Sequence, residues 1–340
     1  MNRKPLIDPR NLPVLVTLGL FIVMFGLGSI AFTNFFSVQN FFNLFINNAY
    51  LLVLAVGMTF VIISGGIDLS VGSMLALSTM VSASLVEKSH MSPAIVIPIV
   101  LLMGVVFGLF MGYLIQAFNI PPFIVTLAGL YLFRGLCYVV SIDTIAFKND
   151  FYQTIARTRL TLIGENFLSP GAIVALVVVL AGLFVSRYTK FGRTVYAIGG
   201  SEQSAILMGL PVVRTKMAIY AVSGFCSALA GIIFTFFTLS GYALDGKGME
   251  LDAIATVVIG GTMLTGGAGS IVGSLLGVLV YGTIQVLIVF QGTLNSWWTR
   301  IVIGFLFFAV CFMQRIFESA RGAAPRRAIP KALESVSADS

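Results

Sequence analysis

Roughly ten stretches of about 20 mainly apolar residues run through this chain, each long enough to cross the hydrocarbon core of a bilayer as a helix. They fall at 12–32, 47–64, 70–86, 94–116, 123–141, 168–186, 215–240, 252–266, 269–290 and 298–316. Soluble domains are about a quarter charged, but only 10% of these 340 residues are charged and 58% are hydrophobic. So little charge cannot cover a soluble fold of this size, so lipid must be the solvent for most of the surface. The expected fold is an all-α integral membrane protein, a polytopic bundle of about ten transmembrane helices. It occupies residues 1–316 and is followed by a tail, 317–340, whose Ala, Ser, Pro and Arg content reads as disordered and cytoplasmic. The first run, from Leu12 to Phe32, is read as a retained span rather than a cleaved leader.

Several chemistries are disfavoured at once. Cys137, Cys226 and Cys311 sit singly inside apolar runs, with neither CxxC spacing nor a nearby histidine cluster, so neither disulfide nor metal roles are expected. The one histidine, His90, lies in a short connector, which leaves no Ser–His–Asp or HExxH arrangement. No GxxxxGK[ST] loop is present to cradle phosphate. The chain is therefore read as no enzyme, with no metal or cofactor of its own. Its net charge of +7 marks the cytoplasmic side of a membrane protein rather than a nucleic-acid partner. Thirteen of the 20 Lys and Arg residues fall in the termini, the connector 187–214 and Lys216 just after it, and five fall in the alternate connectors. Both termini are thus expected in the cytoplasm, which an even number of spans satisfies.

Polar residues at membrane depth narrow the search. Gly65-Gly66-Ile67-Asp68-Leu69-Ser70 interrupts a hydrophobic hairpin, and irregular backbone there requires cover by protein or a cavity. Asp68 and Ser70 read either as caps of the next helix alone or as caps that also serve the core or a cavity. Arg134, in the middle of a span, needs a partner, and Asp68 and Asp252 are the expected ones. Asn47, Asn48, Thr59, Ser73, Thr126 and Gln285 are polar groups in or beside spans, read as path lining or as interhelical hydrogen-bonding groups. Gly104, Gly108 and Gly112 recur every fourth residue, the spacing of a close helix crossing. Trp297 and Trp298 open the last run as interfacial anchors. Ser70–Leu77 also echoes Ile271–Val278, each preceded by a Gly-Gly break, as in transporters built from two related halves.

The connector 187–214 is the most informative. It is basic at both ends, and Ser201 through Gly209 has the capping residues of a short helix of about two turns. Too polar to insert, it reads as a plug for a soluble partner, with an interfacial helix on lipid as the alternative. This loop resembles the ATPase-coupling loop of permease subunits in bacterial ABC importers for sugars and branched-chain amino acids. Val56-Gly57-Met58-Thr59 with Ser64 through Ser73, and Leu251-Asp252-Ala253-Ile254-Ala255 with Gly260-Gly261-Thr262 and Gly266-Gly267, look like the ribose-type permease signature. Gly129, Arg134 and Gly135 fit it too, and the resemblance covers about residues 12–316. Within that family Gly292–Thr299 and Tyr242-Ala243-Leu244 look most like the permease subunits of galactofuranose importers.

The resemblance implies a function: import of a sugar, galactofuranose or otherwise a monosaccharide such as ribose, across the bacterial inner membrane by alternating access. It also implies partners: an ATPase subunit that binds the ATP and Mg, a second permease identical or different, and a periplasmic sugar-binding protein. Residues 199–210 would face the ATPase, with Gly199, Gly200, Ser201, Glu202, Ala205 and Gly209 as the coupling residues. The competing reading is a stand-alone ion-coupled secondary transporter of a small polar solute, with Asp68 as its ion site.

Overall fold

A computed structural model describes residues 12–295 and 297–322. Arg3, Lys4 and Arg10, and the tail from residue 323 onward, lie outside the described residues. The last helix runs on to Gly322, past the expected boundary at 316.

The apolar runs become helices, and small polar residues start them. α1 spans Leu12–Ala31, α2 Val38–Asn47 and α3 Ala49–Ile63, with α2 and α3 bent by 59° at Asn48. α4, Val71–Ala83, continues into a π turn at Ser84–Lys88. α5, Pro93–Ala117, and α6, Pro122–Val140, follow. The long connector after α6 folds into β1 (Ile145–Ala146), α7 (Asp150–Arg157), β2 (Leu160–Ile163) and β3 (Asn166–Leu168). Next come α8 (Pro170–Tyr188), α9 (Lys190–Gly200), α10 (Glu202–Leu207) and α11 (Val212–Thr238). β4 (Ser240–Gly241), α12 (Met249–Ile259), α13 (Ile271–Gln291) and α14 (Trp297–Gly322) complete the chain. Hydroxyls of Ser37, Ser169, Thr189, Ser201 and Ser270 each accept from a backbone N–H of the first turn they precede.

Among the described residues, seven helices are long and apolar enough to cross a membrane, or up to eight if the bent pair α2–α3 is one span. The expectation of about ten is thus met in the all-helical character but not in the count. The shortfall has a physical source. α12 has only 11 residues before the backbone unwinds, and α4 has 13 before the π turn.

Fourteen of the 15 residues of α3 are buried, as expected of a helix apolar on every face. It packs against α11, α8, α12 and α13. α5 crosses α11 where Gly104, Gly108 and Gly112 lie: a Cβ at the first two would strike the carbonyl oxygens of Gly224 and Tyr220, and one at Gly112 would lie 2.8 Å from Met217 Cα. The small strands β1 and β4 pair antiparallel, as do β2 and β3.

The internal echo has a spatial counterpart. In both halves a helix ends, glycines take positive φ (Gly65 at 82°, Gly266 at 85°, Gly267 at 75°), and a serine precedes the next helix. The two breaks touch: a Cβ at Gly266 would lie 3.0 Å from Gly65 Cα, and Gly267 N donates to Ile63 O at 2.8 Å. Contact between equivalent positions is what a pseudo-twofold relation between repeats produces.

Candidate functional site

The polar residues expected from sequence separate into three places. At the first break Asp68 is 1% exposed. Its Oδ1 accepts from Ser70 N at 2.9 Å and Ser70 Oγ at 2.6 Å, and its Oδ2 accepts from Ser223 Oγ of α11 at 2.6 Å. Asp68 therefore holds Ser70, the residue preceding α4, and fastens the break to α11, while the expected side-chain cap on the first turn of α4 is not formed. Thr59 shares a hydrogen bond with Ser274 of α13 at 2.6 Å, Ser73 Oγ donates to Ser70 O, and Thr126 Oγ1 donates to Pro122 O and to Ile67 O. All of these hydroxyls are buried.

Arg134 is a correction. It pairs with neither Asp68 nor Asp252; its Nη1 donates to the carbonyls of Ala243, at 2.5 Å, and Asp245, at 2.8 Å. Two backbone carbonyls in the loop before α12 take the guanidinium's hydrogen bonds in place of a direct ion pair with either aspartate. In that loop Asp245 Oδ2 accepts from Thr79 Oγ1 at 3.1 Å and Tyr242 N at 3.0 Å. Burial pushes the Asp245 carboxyl above its ordinary value, opposed by these two bonds and the Arg134 charge.

Asn47, Asn48, Asp252 and Gln285 do come together. They line a cavity of about 800 Å³ formed by α2, the start of α12, the C-terminal half of α13 and the start of α14, a size within the roughly 300–1,000 Å³ usual for small-molecule sites. Eleven of its 17 lining residues are polar, and five are asparagines: Asn40, Asn43, Asn47, Asn48 and Asn295. Asp252 Oδ2 accepts from Tyr281 OH at 3.2 Å, while Asn48 Nδ2 donates to Leu44 O and leaves Oδ1 buried without a partner. Arg300, another lining residue, lies over the Trp297 ring. Sequence reasoning missed Asn40, Asn43, Asn295 and Arg300. The density of amides between residues 40 and 48 was the available signal.

The third place is the opposite end of α13. α9 ends against both breaks, where a Cβ on Gly199 would collide with the Ile63 carbonyl and lie 2.5 Å from Gly267 N. Tyr196 OH donates to Gly269 O at 2.9 Å. Burial raises the Tyr196 hydroxyl above its ordinary value, against the pull of Arg187. Of the expected coupling residues, Gly199 and Ala205 face inward, and Gly200, Ser201, Glu202 and Gly209 are exposed. Lys216 Nζ meets Glu202 Oε1 at 2.6 Å, tying the first turn of α10 to α11. Gly209 takes φ 72° and closes the short helix. Past Ala205, Ile206, Leu207 and Met208 form an exposed apolar tip, Leu207 at 88%. The sequence carried that signal as three apolar residues in a polar loop.

The chain matches the family model "Branched-chain amino acid transport system / permease component" over residues 40–311. It is 46% identical over 306 residues to the inner membrane ABC transporter permease protein YjfF of Escherichia coli, covering 90% of this chain and 92% of that protein. It is 41% identical to the fructose import permease protein FruG of Bifidobacterium longum (93% of this chain, 94% of that one). Identity to the ribose import permease protein RbsC of Haemophilus influenzae is 38%, over 77% of this chain and 80% of that protein. No solved structure matches the chain.

Proposed function

Because the chain belongs to the branched-chain amino acid transport system permease family, we propose that it is the membrane-embedded subunit of an ATP-binding-cassette importer whose cargo is a sugar. Galactofuranose is the proposed cargo, and another monosaccharide such as ribose or fructose is next. The names of the relatives support a sugar over an amino acid. The observation that carries the reading is the exposed apolar tip Ile206-Leu207-Met208 on an otherwise polar loop, an arrangement that calls for a soluble partner with an apolar groove.

That partner is an ATPase subunit that binds ATP and Mg. A second permease and a periplasmic sugar-binding protein complete the importer. The chain sits in the inner membrane with both termini in the cytoplasm. The short helices α4 and α12, each prolonged by its break, account for ten membrane-embedded segments in place of seven or eight. In the working cycle, closure of the ATPase pair pulls α10, α9 transmits the pull to the paired breaks, and the bundle rocks between outward and inward openings. Transport of this kind needs only binding differences between states. Asn47, Asn48, Asp252 and Gln285 line the path, and Thr59, Asp68, Ser70, Ser73, Thr126 and Arg134 hold the helices around it. Gly200, Ser201, Glu202 and Gly209 shape the ATPase-facing surface.

The test replaces Leu207 by Asp, and separately Glu202 and Gly209 by Trp, in the reconstituted importer. Loss of an interface anchor reduces binding by roughly tenfold or more, so sugar uptake falls while the ATPase keeps its unstimulated hydrolysis. Normal uptake by all three variants overturns the coupling assignment. Uptake by this chain alone, driven by an ion gradient without ATP, overturns the importer reading.

A further inference from the structure

We propose that the 800 Å³ cavity at the C-terminal end of α13 is a binding station for a neutral monosaccharide, so that this chain itself selects its cargo. The proposal rests on the sugar-importer reading and adds to it a site, a ligand chemistry and a place where specificity is exercised.

The argument starts from which polar groups the fold has already used. Asn40 Nδ2 donates to Phe35 O, and Asn43 Oδ1 accepts from Gln39 Nε2, so these amides are partly engaged in holding α2. Asn47 and Gln285 make no side-chain hydrogen bond within the described residues, yet both line the cavity. Asn48 is 1% exposed with Oδ1 unpartnered. A buried acceptor left empty is unfavourable, and native proteins fill such positions with a partner, water or ligand. Asp252 uses Oδ2 for Tyr281, and no partner is seen for its other oxygen.

The unfilled set thus holds two acceptors, Asn48 Oδ1 and an Asp252 oxygen, beside two amides that both donate and accept. A hydroxyl group donates to the first pair and satisfies either side of the second. A ring bearing several hydroxyls suits such a mixed set of acceptors and amides. The apolar wall from Val286, Val289 and Leu294 suits the C–H face of a sugar ring.

Gln285→Leu and Asn47→Leu separate this role from folding, since neither side chain has an intramolecular partner to lose. The complete importer in proteoliposomes is given labelled galactose equilibrated with its furanose form, ribose, fructose, arabinose, xylose or glucose, with leucine and galacturonate as competitors. The expected result is that KM for whichever sugar the wild type takes up rises about tenfold in each variant, the loss of one or two hydrogen bonds. ATP hydrolysis stimulated by the loaded binding protein persists, and neither leucine nor galacturonate competes. Unchanged KM in both variants, or competition by leucine, overturns the station while leaving the importer intact. Wild type that moves none of the six sugars on ATP hydrolysis overturns the importer reading and the station with it.

Discussion

The two helix breaks that meet at the middle of the molecule are built from similar sequence and fastened in opposite ways. The first, residues 64–70, is short, with Gly66, Asp68 and Ser70 buried, and it carries a carboxylate whose three hydrogen bonds bind it to Ser70 and to α11. The second, residues 260–270, has no ionisable side chain and is half exposed. It is held from outside its own hairpin, by Tyr196 of α9 through Gly269 O, by Gln314 of α14 through Thr262 O at 3.4 Å, and by Pro13 of α1 against Gly261. Related halves therefore need not play equal parts. The first break is bolted to the buried scaffold, and the second hangs on α1, α9 and α14.

Substitutions can break that contrast, beginning with the strongest. Asp68→Ala strands Ser223 Oγ and Ser70 N. With hydrogen bonds to a charged group contributing about 1.5–3 kcal/mol each, the loss should exceed about 3 kcal/mol and show as a collapse of the melting temperature in detergent. An unchanged melting temperature would mean that the first break is not bolted down. Gly199→Val should act differently: it forces α9 off the Ile63 carbonyl, so uptake falls by about tenfold or more while the ATPase still hydrolyses, the signature of lost transmission rather than lost binding. Gly19→Ala in α1 is the control, because nothing lies within 4 Å of a Cβ there, and uptake should stay at wild-type level. Tyr196→Phe removes one hydrogen bond to the second break, about 1 kcal/mol, and should lower uptake a few-fold with little effect on melting. Gly209→Ala asks alanine to adopt φ 72°, costing about 1 kcal/mol, and should register only as faster proteolysis near residue 209.

The order of those effects follows what the sequence made legible. The helices, the glycine crossing of α5 on α11 and the Ser201-to-Gly209 turn were readable because periodicity, small-residue spacing and capping residues are local signals. Arg134 was misassigned for the converse reason. Its acceptors are the carbonyls of Ala243 and Asp245, a group every residue possesses, brought near by a fold that spans more than a hundred residues. Gly199 was placed on the ATPase-facing surface by resemblance. Its inward side depends on where Ile63 ends α3, which no spacing near residue 199 reveals. Seven or eight helices, rather than ten, reach spanning length among the described residues because α12 unwinds at Gly260, and hydropathy continues across a break that hydrogen bonding does not.

The placement of Trp297 and Trp298 has a practical consequence. They are the only tryptophans in the chain, and both are at the start of α14, with the Arg300 guanidinium 5.1 Å from the Trp297 ring centre. Ultraviolet emission from this polypeptide is thus a native optical reporter of one spot, the start of α14 beside Arg300, which lines the 800 Å³ cavity. No dye or engineered label is needed to follow changes in the surroundings of those two rings.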